Sequence, residues 1–375
     1  MNNSAAPQNE PTDIWSAIHQ FVPTLLQGDA IGDHVIRIRD QQRARGRYSE
    51  IFVDVEREDT SHLTHPVTHL DRHVSAQSAH PDTLLMYHVA QASACAEFLL
   101  TRPEPLALQF HNFTPVDLLV GWDASAACDM LEAGRQLDEL AAAAAIGISD
   151  SAFNAAELTE RGVACSMVAS IPVEAVAKLS PDLEKAGRPT VLFVGRVAPN
   201  KAFHDLVATA AVLRHRVADV EVRLVGGETS ESYSQALRQL VRALELDDTV
   251  TFTGRVTDEE LQREYGRAHV FCSLSDHEGF GVPLLEAMAH GLPIVAFDST
   301  AVGETVGGAG LVLGDKAPTI VAAAIERVLA DNTLSAQLRD WGRARALEFT
   351  AQRSDHQFEL AFIEAWRLTH EAANS

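Results

Sequence analysis

The sequence has few cysteines, no long hydrophobic run and a shortage of basic residues. Its four cysteines are Cys95, Cys128, Cys165 and Cys272. None has C-x-x-C spacing, so we expect free thiols in a reducing compartment rather than a disulfide framework. No apolar stretch approaches the roughly 18 residues of a membrane-spanning helix. The polar start, MNNSAAPQNEPTD, lacks the order of a signal peptide, so a cytoplasmic protein is predicted.

The charge balance restricts the partners. The chain has 30 basic and 52 acidic residues, for a net charge of −22. Nucleic-acid and anionic-membrane binders need basic surface, so both classes are disfavoured, although an amphipathic patch could still give a peripheral membrane contact. A local basic site for a phosphorylated small molecule remains compatible with this charge.

Several common enzyme motifs are also missing. The sequence contains no G-x-S-x-G and no G-x-x-x-x-G-K-[ST]. The pair Gly279-x-Gly281 continues with Leu284 where a dinucleotide fingerprint needs its third glycine. Hydrolases of the nucleophile-elbow type, P-loop proteins and nicotinamide enzymes are therefore not indicated.

The chain instead alternates apolar strands with amphipathic helices. PTVLFVGRV, VEVRLVGG, VTFTGRV, HVFCSLS and PIVAFD are predicted strands, with a helix between each pair. This alternation predicts an α/β fold with parallel sheets, which bind ligands at the carboxyl ends of their strands. We expect an N-terminal domain over 14–172, a linker within 171–189 and a C-terminal domain over 186–350. A last helix, 352–373, is free to cross back onto the first domain.

The stretch HEGFGVPLLEA, 277–287, is the strongest local motif. Gly279 and Gly281 lie in a strand-to-helix loop, and the free N–H groups of the following helix favour an anion. A plain tight turn is the alternative. Glu278 and Glu286 flank this turn, so we interpret them as grips on two ends of one ligand, a sugar and a ribose, rather than as a glycosidase pair. For Glu286 alone, a helix-start carboxylate stabilised by the dipole is the alternative.

A second motif supplies positive charge. In GRVAPNK, Arg196 follows a predicted strand and Lys201 begins the next helix, with Asn200 as its expected N-cap. Taken alone, these would be solvated surface charges. Because both strand ends lie on the same edge of a parallel sheet, the cations and the glycine turn together predict a diphosphate site.

Histidines suggest two further hypotheses. His88 and His111 end apolar strands of the first half, and polar loops follow both, so we expect them at the cleft, although single histidines at strand ends are usually structural. Four more, His62, His65, His69 and His73, have a spacing that would form a stripe on one helix and could bind metal. Pro66 would break that helix, which favours a polar loop at the edge of the acceptor cleft instead.

These motifs carry a family resemblance. EGFGVPLLEAMAHGLPIVAFD resembles the E-x₇-E motif of the retaining glycosyltransferases of family 4, and GRVAPNKAFHDLV resembles their donor site. TFTGRVTDEELQREYGRAHVFCSLS and STAVGETVGGAGLVL continue the resemblance, and GDAIGDHV, LLMYHVAQAS and LQFHNFTP resemble the family's N-terminal loops. The resemblance implies the GT-B fold, two Rossmann-like domains facing each other across a cleft.

The resemblance also implies roles for individual residues. Arg196 and Lys201 would neutralise the donor diphosphate, Glu286 would bind the ribose, and Glu278 would bind the transferred sugar. The other implied donor contacts are the backbones of Phe280, Gly281, Val282 and Val256, with Gly32 on the first domain. His111 would line the sugar site near the reacting carbon, and His88 and Asn112 would face the acceptor. The chain departs from the family pattern at Ala202, where glycine is usual, and at Gly303, where proline is common.

The implied activity is transfer of a sugar from a nucleotide-diphosphate sugar to the hydroxyl of a small-molecule or glycan acceptor, with retention at the anomeric carbon. A front-face route is expected because no carboxylate is evidently placed as a nucleophile, and no metal or other cofactor is implied. Two other functions stay open: a nucleotide-sugar epimerase or glucan phosphorylase of the same fold, and a non-catalytic nucleotide-sugar binding protein.

Overall fold

The computed structural model describes residues 14–76, 82–173 and 187–373. These residues form two parallel β-sheets flanked by helices, which confirms the predicted α/β fold. The predicted linker, 171–189, lies mostly outside the described residues, as do the polar N-terminal segment and positions 77–80 of the histidine-rich stretch.

The first sheet has seven parallel strands in the order β3-β2-β1-β4-β5-β6-β7. The strands are β1 (Ala17–Val22), β2 (Ile51–Val53), β3 (Thr64–Pro66), β4 (Thr83–Val89), β5 (Leu106–Phe110), β6 (Ile146–Ser149) and β7 (Ser166–Val168). Its helices are α1 (Ala30–Ala44), α2 (Leu70–Ala76), α3 (Ala94–Leu100), α4 (Val116–Leu119), α5 (Ala124–Ala143) and α6 (Ala152–Glu160). Strands β1 and β4 to β6 are buried along their whole length, as expected of a sheet covered on both faces.

The second sheet has six parallel strands in the order β10-β9-β8-β11-β12-β13. The strands are β8 (Thr190–Val194), β9 (Glu221–Val225), β10 (Val250–Gly254), β11 (Val270–Ser273), β12 (Ile294–Phe297) and β13 (Leu311–Leu313). Its helices are α7 (Phe203–Leu213), α8 (Glu231–Ala243), α9 (Asp258–Arg267), α10 (Val282–Ala289), α11 (Val302–Val306), α12 (Pro318–Ala330) and α13 (Asn332–Ala346). Helix α13 has no counterpart among the sequence predictions.

The last helix, α14 (Ala351–Ala373), returns to the first sheet. Its apolar face, which includes Phe358 and Phe362, packs with Trp15 and Ile18 in one buried cluster. The indole nitrogen of Trp15 donates a hydrogen bond to the Phe362 carbonyl at 2.7 Å. The chain thus crosses between the sheets a second time, which ties the second domain to the first.

In both sheets the strand order reverses beside the first strand. The chain moves outward from β1 to β2 and β3 and then returns to β4, and it moves in the same way from β8 to β9 and β10 before β11. Loops that leave β1 and β4, or β8 and β11, therefore diverge and open a crevice at the carboxyl ends of the strands. The predicted Arg196, Lys201, Glu278 and Glu286 lie on the loops after β8 and β11 or in the helices that follow them, whereas His111 follows β5 and Val256 follows β10.

One predicted cap is wrong. Asn200 is not the N-cap of α7, because it lies inside a 3-10 turn, Pro199–Lys201, and α7 begins later, at Phe203. The residue before α7 is Ala202, which has left-handed backbone angles (φ 48°, ψ 43°) and makes no side-chain cap. The turn and the left-handed residue reverse the chain, so that Lys201 precedes the helix rather than joining it.

Candidate active site

Lys201 and Glu278 form an ion pair at the carboxyl edge of the second sheet. Lys201 follows β8, Glu278 follows β11, and these two strands are hydrogen-bonded neighbours. The Lys201 Nζ lies 2.6 Å from Glu278 Oε2, and the two side chains are 17% and 11% exposed. The pair neutralises two charges that would otherwise be costly in this enclosed position.

Arg196 lies nearer the solvent on the same edge. It comes two residues after β8, its side chain is exposed, and it forms no ion pair or hydrogen bond with any other described residue. An unpaired guanidinium beside a lysine-bearing turn can accept an anion without first breaking a contact. The diphosphate site predicted from these two cations therefore has one free and one paired member.

The glycine turn after Glu278 lies directly against the first domain. A Cβ on Gly279 would lie 2.7 Å from the His111 carbonyl oxygen and 2.8 Å from the Cβ of Asn112. Two residues later, Gly281 has φ +92° and forms the N-cap of α10. Glycine is needed at both positions, at the first for space and at the second for backbone conformation.

Helix α10 begins immediately after this turn, with Val282 as its first residue and proline next. The side chain of Phe280 points elsewhere: it packs edge-on against Phe349 and borders a crevice of about 550 Å³ at the start of α14. Its carbonyl accepts a hydrogen bond from Thr305 Oγ1 at 2.5 Å. The side chain of Phe280 is therefore occupied by packing, and the predicted donor contact at this position is one made by its backbone.

Glu286 lies one turn into α10 and is held by Tyr265 of α9. The Tyr265 hydroxyl donates to Glu286 Oε2 at 2.7 Å. Burial raises the pKa of the Glu286 carboxyl, which the tyrosine hydrogen bond partly offsets, and burial raises the pKa of Tyr265 well above its usual range. Tyr265 therefore stays a hydrogen-bond donor and orients the carboxylate toward a cavity.

That cavity of about 210 Å³ separates the two domains. On one side it is lined by α10 and α9, including Glu286, Val282 and Asp258. On the other it is lined by the start of α1, including His34 and Gly28. Groups that donate and accept hydrogen bonds thus face one another across a space that a small polar moiety could fill.

A buried chain of hydrogen bonds lies at the edge of the first sheet. The Gln20 amide donates to the Val35 carbonyl, so its oxygen, 3.0 Å from His88 Nε2, is free to accept from that nitrogen. His88 Nδ1 then accepts from His111 Nε2 at 3.1 Å, and His111 Nδ1 lies 2.8 Å from Asp150 Oδ2. Burial lowers the pKa of His88 well below its usual value, so His88 is neutral.

The direction of this chain sets the role of one His111 nitrogen. Because His88 accepts at Nδ1, His111 Nε2 must donate to it. His111 Nδ1 faces Asp150 Oδ2, and the other oxygen of Asp150 accepts from Gln109 Nε2 at 2.7 Å. The sequence analysis identified both histidines but not Asp150, although it too follows a strand of the sheet.

Polar contacts join the domains around these groups. Asn112, which has φ +75°, accepts at its amide oxygen from its own neighbour Phe113 and lies 3.0 Å from His277 Nε2. Ser151 Oγ donates to the Gly279 carbonyl at 2.8 Å. The Glu304 carboxylate accepts from the backbone N–H of Ala152 and of the next residue, the first two of α6, at 2.8 and 3.3 Å. A residue of the second domain thus caps a helix of the first.

Two further sequence predictions concern Gly32 and Val256. Gly32 does not line the cavity, which Gly28 and Ala30 border instead. Only glycine fits at position 32, because a Cβ there would lie 1.7 Å from the Leu26 carbonyl oxygen. Val256 packs against the core of the second domain, next to the capping box in which Thr257 and Glu260 bond each other at the start of α9.

The histidine-rich stretch does not form one helix. His65 lies on β3 and His73 on α2, and their rings are 4.3 Å apart in a cluster with Phe52 and Tyr48. His65 Nε2 also lies 3.4 Å from Glu50. Over residues 14–76, 82–173 and 187–373, no group of three or more His, Cys, Asp or Glu side chains is arranged to hold a metal ion.

Tyr265, Asp150, His34 and Glu304 were not found by sequence reasoning. Tyr265 and His34 are single polar residues within amphipathic helices, and no local pattern distinguishes them from surface positions. The hydrogen-bond partner of Tyr265 is 21 residues away, and His34 meets the second domain only across the cavity, so the tertiary structure alone reveals their positions.

Comparison with known proteins places the second domain in a family. Residues 188–331 match the family described as "Glycosyl transferases group 1". The second domain is a group 1 glycosyltransferase domain. The match spans β8 to the end of α12, and so includes every donor-site residue predicted on this domain.

Individual relatives of this glycosyltransferase domain are similar over part of their length. The chain is 34% identical over 171 residues to a GDP-mannose-dependent alpha-(1-6)-phosphatidylinositol monomannoside mannosyltransferase of Mycobacterium tuberculosis, covering 42% of this chain and 44% of the relative. It is 38% identical over 110 residues to the mannosylfructose-phosphate synthase of Agrobacterium fabrum, covering 28% and 24%. The similarity thus spans less than half the length of these curated relatives.

Solved structures extend the likeness to both domains of the chain. Sucrose-phosphate synthase from Thermosynechococcus elongatus superposes with a TM-score of 0.68 at 20% identity, covering 96% of this chain and all of that one. Anabaena Alr3699/HepE in complex with UDP and glucose gives 0.69 at 19% identity, covering 92% and 99%. The whole described chain therefore has the GT-B fold. None of its described helices is long and apolar enough to cross a membrane.

Proposed function

We propose that this protein is a retaining glycosyltransferase that moves a sugar from a nucleotide-diphosphate sugar to an acceptor hydroxyl. The observation that carries the proposal is the arrangement at one sheet edge of Arg196, Lys201 and the N-terminus of α10, with Glu278 beside the lysine. Two cations and a helix start suit a diphosphate, and a neighbouring carboxylate suits the hydroxyls of the sugar attached to it.

The Lys201–Glu278 pair suggests how donor binding proceeds. In the unliganded site the ammonium group is bound to the carboxylate, 2.6 Å away. A donor would offer a phosphate to Lys201 and sugar hydroxyls to Glu278, so each partner exchanges one contact for another without a charge being left unpaired. A free diphosphate would satisfy only Lys201 and leave Glu278 alone, which favours the intact donor.

In the proposed reaction the bond between the anomeric carbon and the diphosphate oxygen breaks. The acceptor oxygen bonds to that carbon on the same face, and its proton passes to the departing phosphate oxygen. Arg196, Lys201 and α10 stabilise the charge that develops on this leaving group, a type of interaction that often dominates enzyme rates. The residues proposed here need no divalent metal for that stabilisation.

The first domain would supply the acceptor side. His111 lies beside the Gly279 turn, where its carbonyl meets the second domain, and its ring is held by Asp150. We assign His111 to the sugar near the reacting carbon and the neighbouring His88 and Asn112 to the acceptor side. The named relatives include a GDP-mannose-dependent enzyme and HepE was solved with UDP and glucose, so several donor bases and sugars need testing.

The test begins with thermal-shift screening against UDP-, GDP-, ADP- and dTDP-sugars. The sugar that stabilises the protein is then incubated with candidate acceptors in the presence of a chelator, and the product's anomeric configuration is determined by NMR. We expect acceptor-dependent nucleotide release with retained configuration. Inverted product would refute the retaining route, release without an acceptor would favour an epimerase, and the absence of any turnover with a tight donor would favour a binding protein.

A further inference from the structure

His34 is a buried histidine whose hydrogen-bonding groups the proposed reaction does not use. It lies on α1, is 3% exposed, and packs between the His88 ring and Phe358 of α14 at 6.4 and 4.9 Å. Neither of its ring nitrogens has a hydrogen-bond partner among the described residues. The rings around it contribute contacts but no suitable donor or acceptor.

An unpartnered imidazole is unfavourable in a protein interior. A neutral imidazole carries one N–H donor and one acceptor nitrogen, and buried polar groups are nearly always paired. Burial is the main cause that lowers the pKa of His34 to about 3, and electrostatic repulsion from His111 and Arg37 lowers it further. The ring is therefore neutral near pH 7. The position therefore presents one donor and one acceptor that lack a partner.

The interdomain cavity supplies the place for that partner. His34 and Glu286 both line this cavity of about 210 Å³, from the first and second domain respectively. Arg37 lines it too, but its guanidinium is bound to the Asp355 carboxylate and the Ala351 carbonyl at the start of α14. His34 is thus a residue of the first domain on the cavity wall opposite Glu286 whose buried hydrogen-bonding groups have no partner among the described residues.

We propose that His34 is a donor-binding residue that hydrogen-bonds a ribose hydroxyl from the side opposite Glu286. This inference rests on the proposed function. A carboxylate can only accept, so it suits the two donors of a vicinal diol, whereas a neutral imidazole both donates and accepts, as a hydroxyl does. The phosphates require charge and are served by Arg196 and Lys201. Together the Glu286 carboxylate and the His34 imidazole distinguish a ribose from a deoxyribose.

The test compares ribonucleotides with deoxyribonucleotides. Calorimetry measures the affinity of UDP, GDP and ADP, each beside its 2′-deoxy and 3′-deoxy forms, for the full chain and for His34→Phe. This variant keeps a ring in contact with His88 and Phe358 but loses both hydrogen-bonding atoms. We expect the wild-type protein to prefer the ribonucleotide over one deoxy form by roughly fivefold more than the variant does, the value of one net hydrogen bond. His34→Gln should restore part of the preference.

His19→Phe is the matched control, because His19 is also a buried histidine of the first domain but points to the other face of the sheet, against Tyr48 and Phe52. It should leave the preference unchanged. If His34→Phe prefers the ribonucleotides over both deoxy forms as strongly as the wild-type protein does, His34 has only a packing role. If the wild-type protein binds none of the diphosphates, the proposed function itself fails, which separates the two outcomes.

Discussion

The two domains present different chemistry to the same cleft. The second domain offers charge: Arg196, Lys201 and Glu278 lie on loops that follow two neighbouring strands. The first domain offers mainly a buried hydrogen-bond chain, from Gln20 through His88 to the His111–Asp150 pair. The family match covers only the second domain. A diphosphate is recognised by charge that short motifs carry, whereas the first domain's network depends on residues from strands far apart in the chain.

The largest effect is expected from removing the charge of the second domain. Arg196→Ala combined with Lys201→Ala should weaken binding of the best nucleotide diphosphate by at least about 100-fold, since hydrogen bonds to charged groups contribute about 1.5–3 kcal/mol each. Calorimetry measures the affinity. Arg238→Ala, which removes an exposed arginine paired with Glu228 on the same domain, is the control and should change little. Unchanged affinity in the double variant would contradict the anion site.

A large effect on turnover, with little on donor binding, is expected in the first domain. Asp150→Asn removes the negative partner of His111 at 2.8 Å and should lower kcat roughly 100-fold, the scale for loss of one electrostatic contact in an active site. Steady-state kinetics and donor calorimetry separate the two quantities. Asp138→Asn, an exposed acid paired with Arg161 on the same domain, is the comparison variant. Equal losses of kcat and donor affinity would mean that Asp150 mainly supports the fold.

Replacing Glu286 should raise the stability of the protein but weaken its binding of the donor. Burial raises its pKa above that of the unfolded chain, so the protonated carboxyl favours folding, and this contribution is lost as the pH rises through the raised pKa. Glu286→Gln should therefore raise the Tm of the unliganded protein near neutral pH while weakening donor binding about tenfold. Scanning calorimetry across pH 4–8 should show the wild type losing stability relative to the variant. Glu259→Gln, an exposed position on α9, should track the wild type.

The smallest effect is expected at position 202, where this chain has alanine and the family pattern usually has glycine. Ala202 is fully buried and has φ 48°, a conformation that costs alanine more than glycine. Ala202→Gly should stabilise the second domain by about 0.5–1 kcal/mol, measured by denaturant unfolding. Ala208→Gly within α7 should have the opposite sign, because glycine disfavours a helix interior. A destabilised Ala202→Gly variant would show that the methyl group's packing outweighs its backbone strain.

Sequence reasoning was most complete where one short segment carries the whole feature. In HEGFGVPLLEA, the turn, the helix start and both glutamates lie within eleven residues, and the structure places α10 and the glycine N-cap there. It was less complete where partners come from different elements. The N-cap of α7 was wrong because Ala202 adopts a left-handed conformation that residue type does not indicate. Asp150 and Tyr265 were missed because their partners lie on other strands and helices.

Local periodicity, proline, glycine and the spacing of cations encode the alternating elements, the parallel sheets and the charged turn of the second domain. Which groups meet depends instead on the packing of the whole described chain. That packing joined His111 to Asp150 and set His34 opposite Glu286 across the cavity. It also placed the Glu304 carboxylate at the start of α6. His111 meets Asp150 because β5 and β6 are neighbours in one sheet. The other two contacts depend on how the two sheets face each other, which is settled by the packing of complete surfaces rather than by the pattern within any one segment.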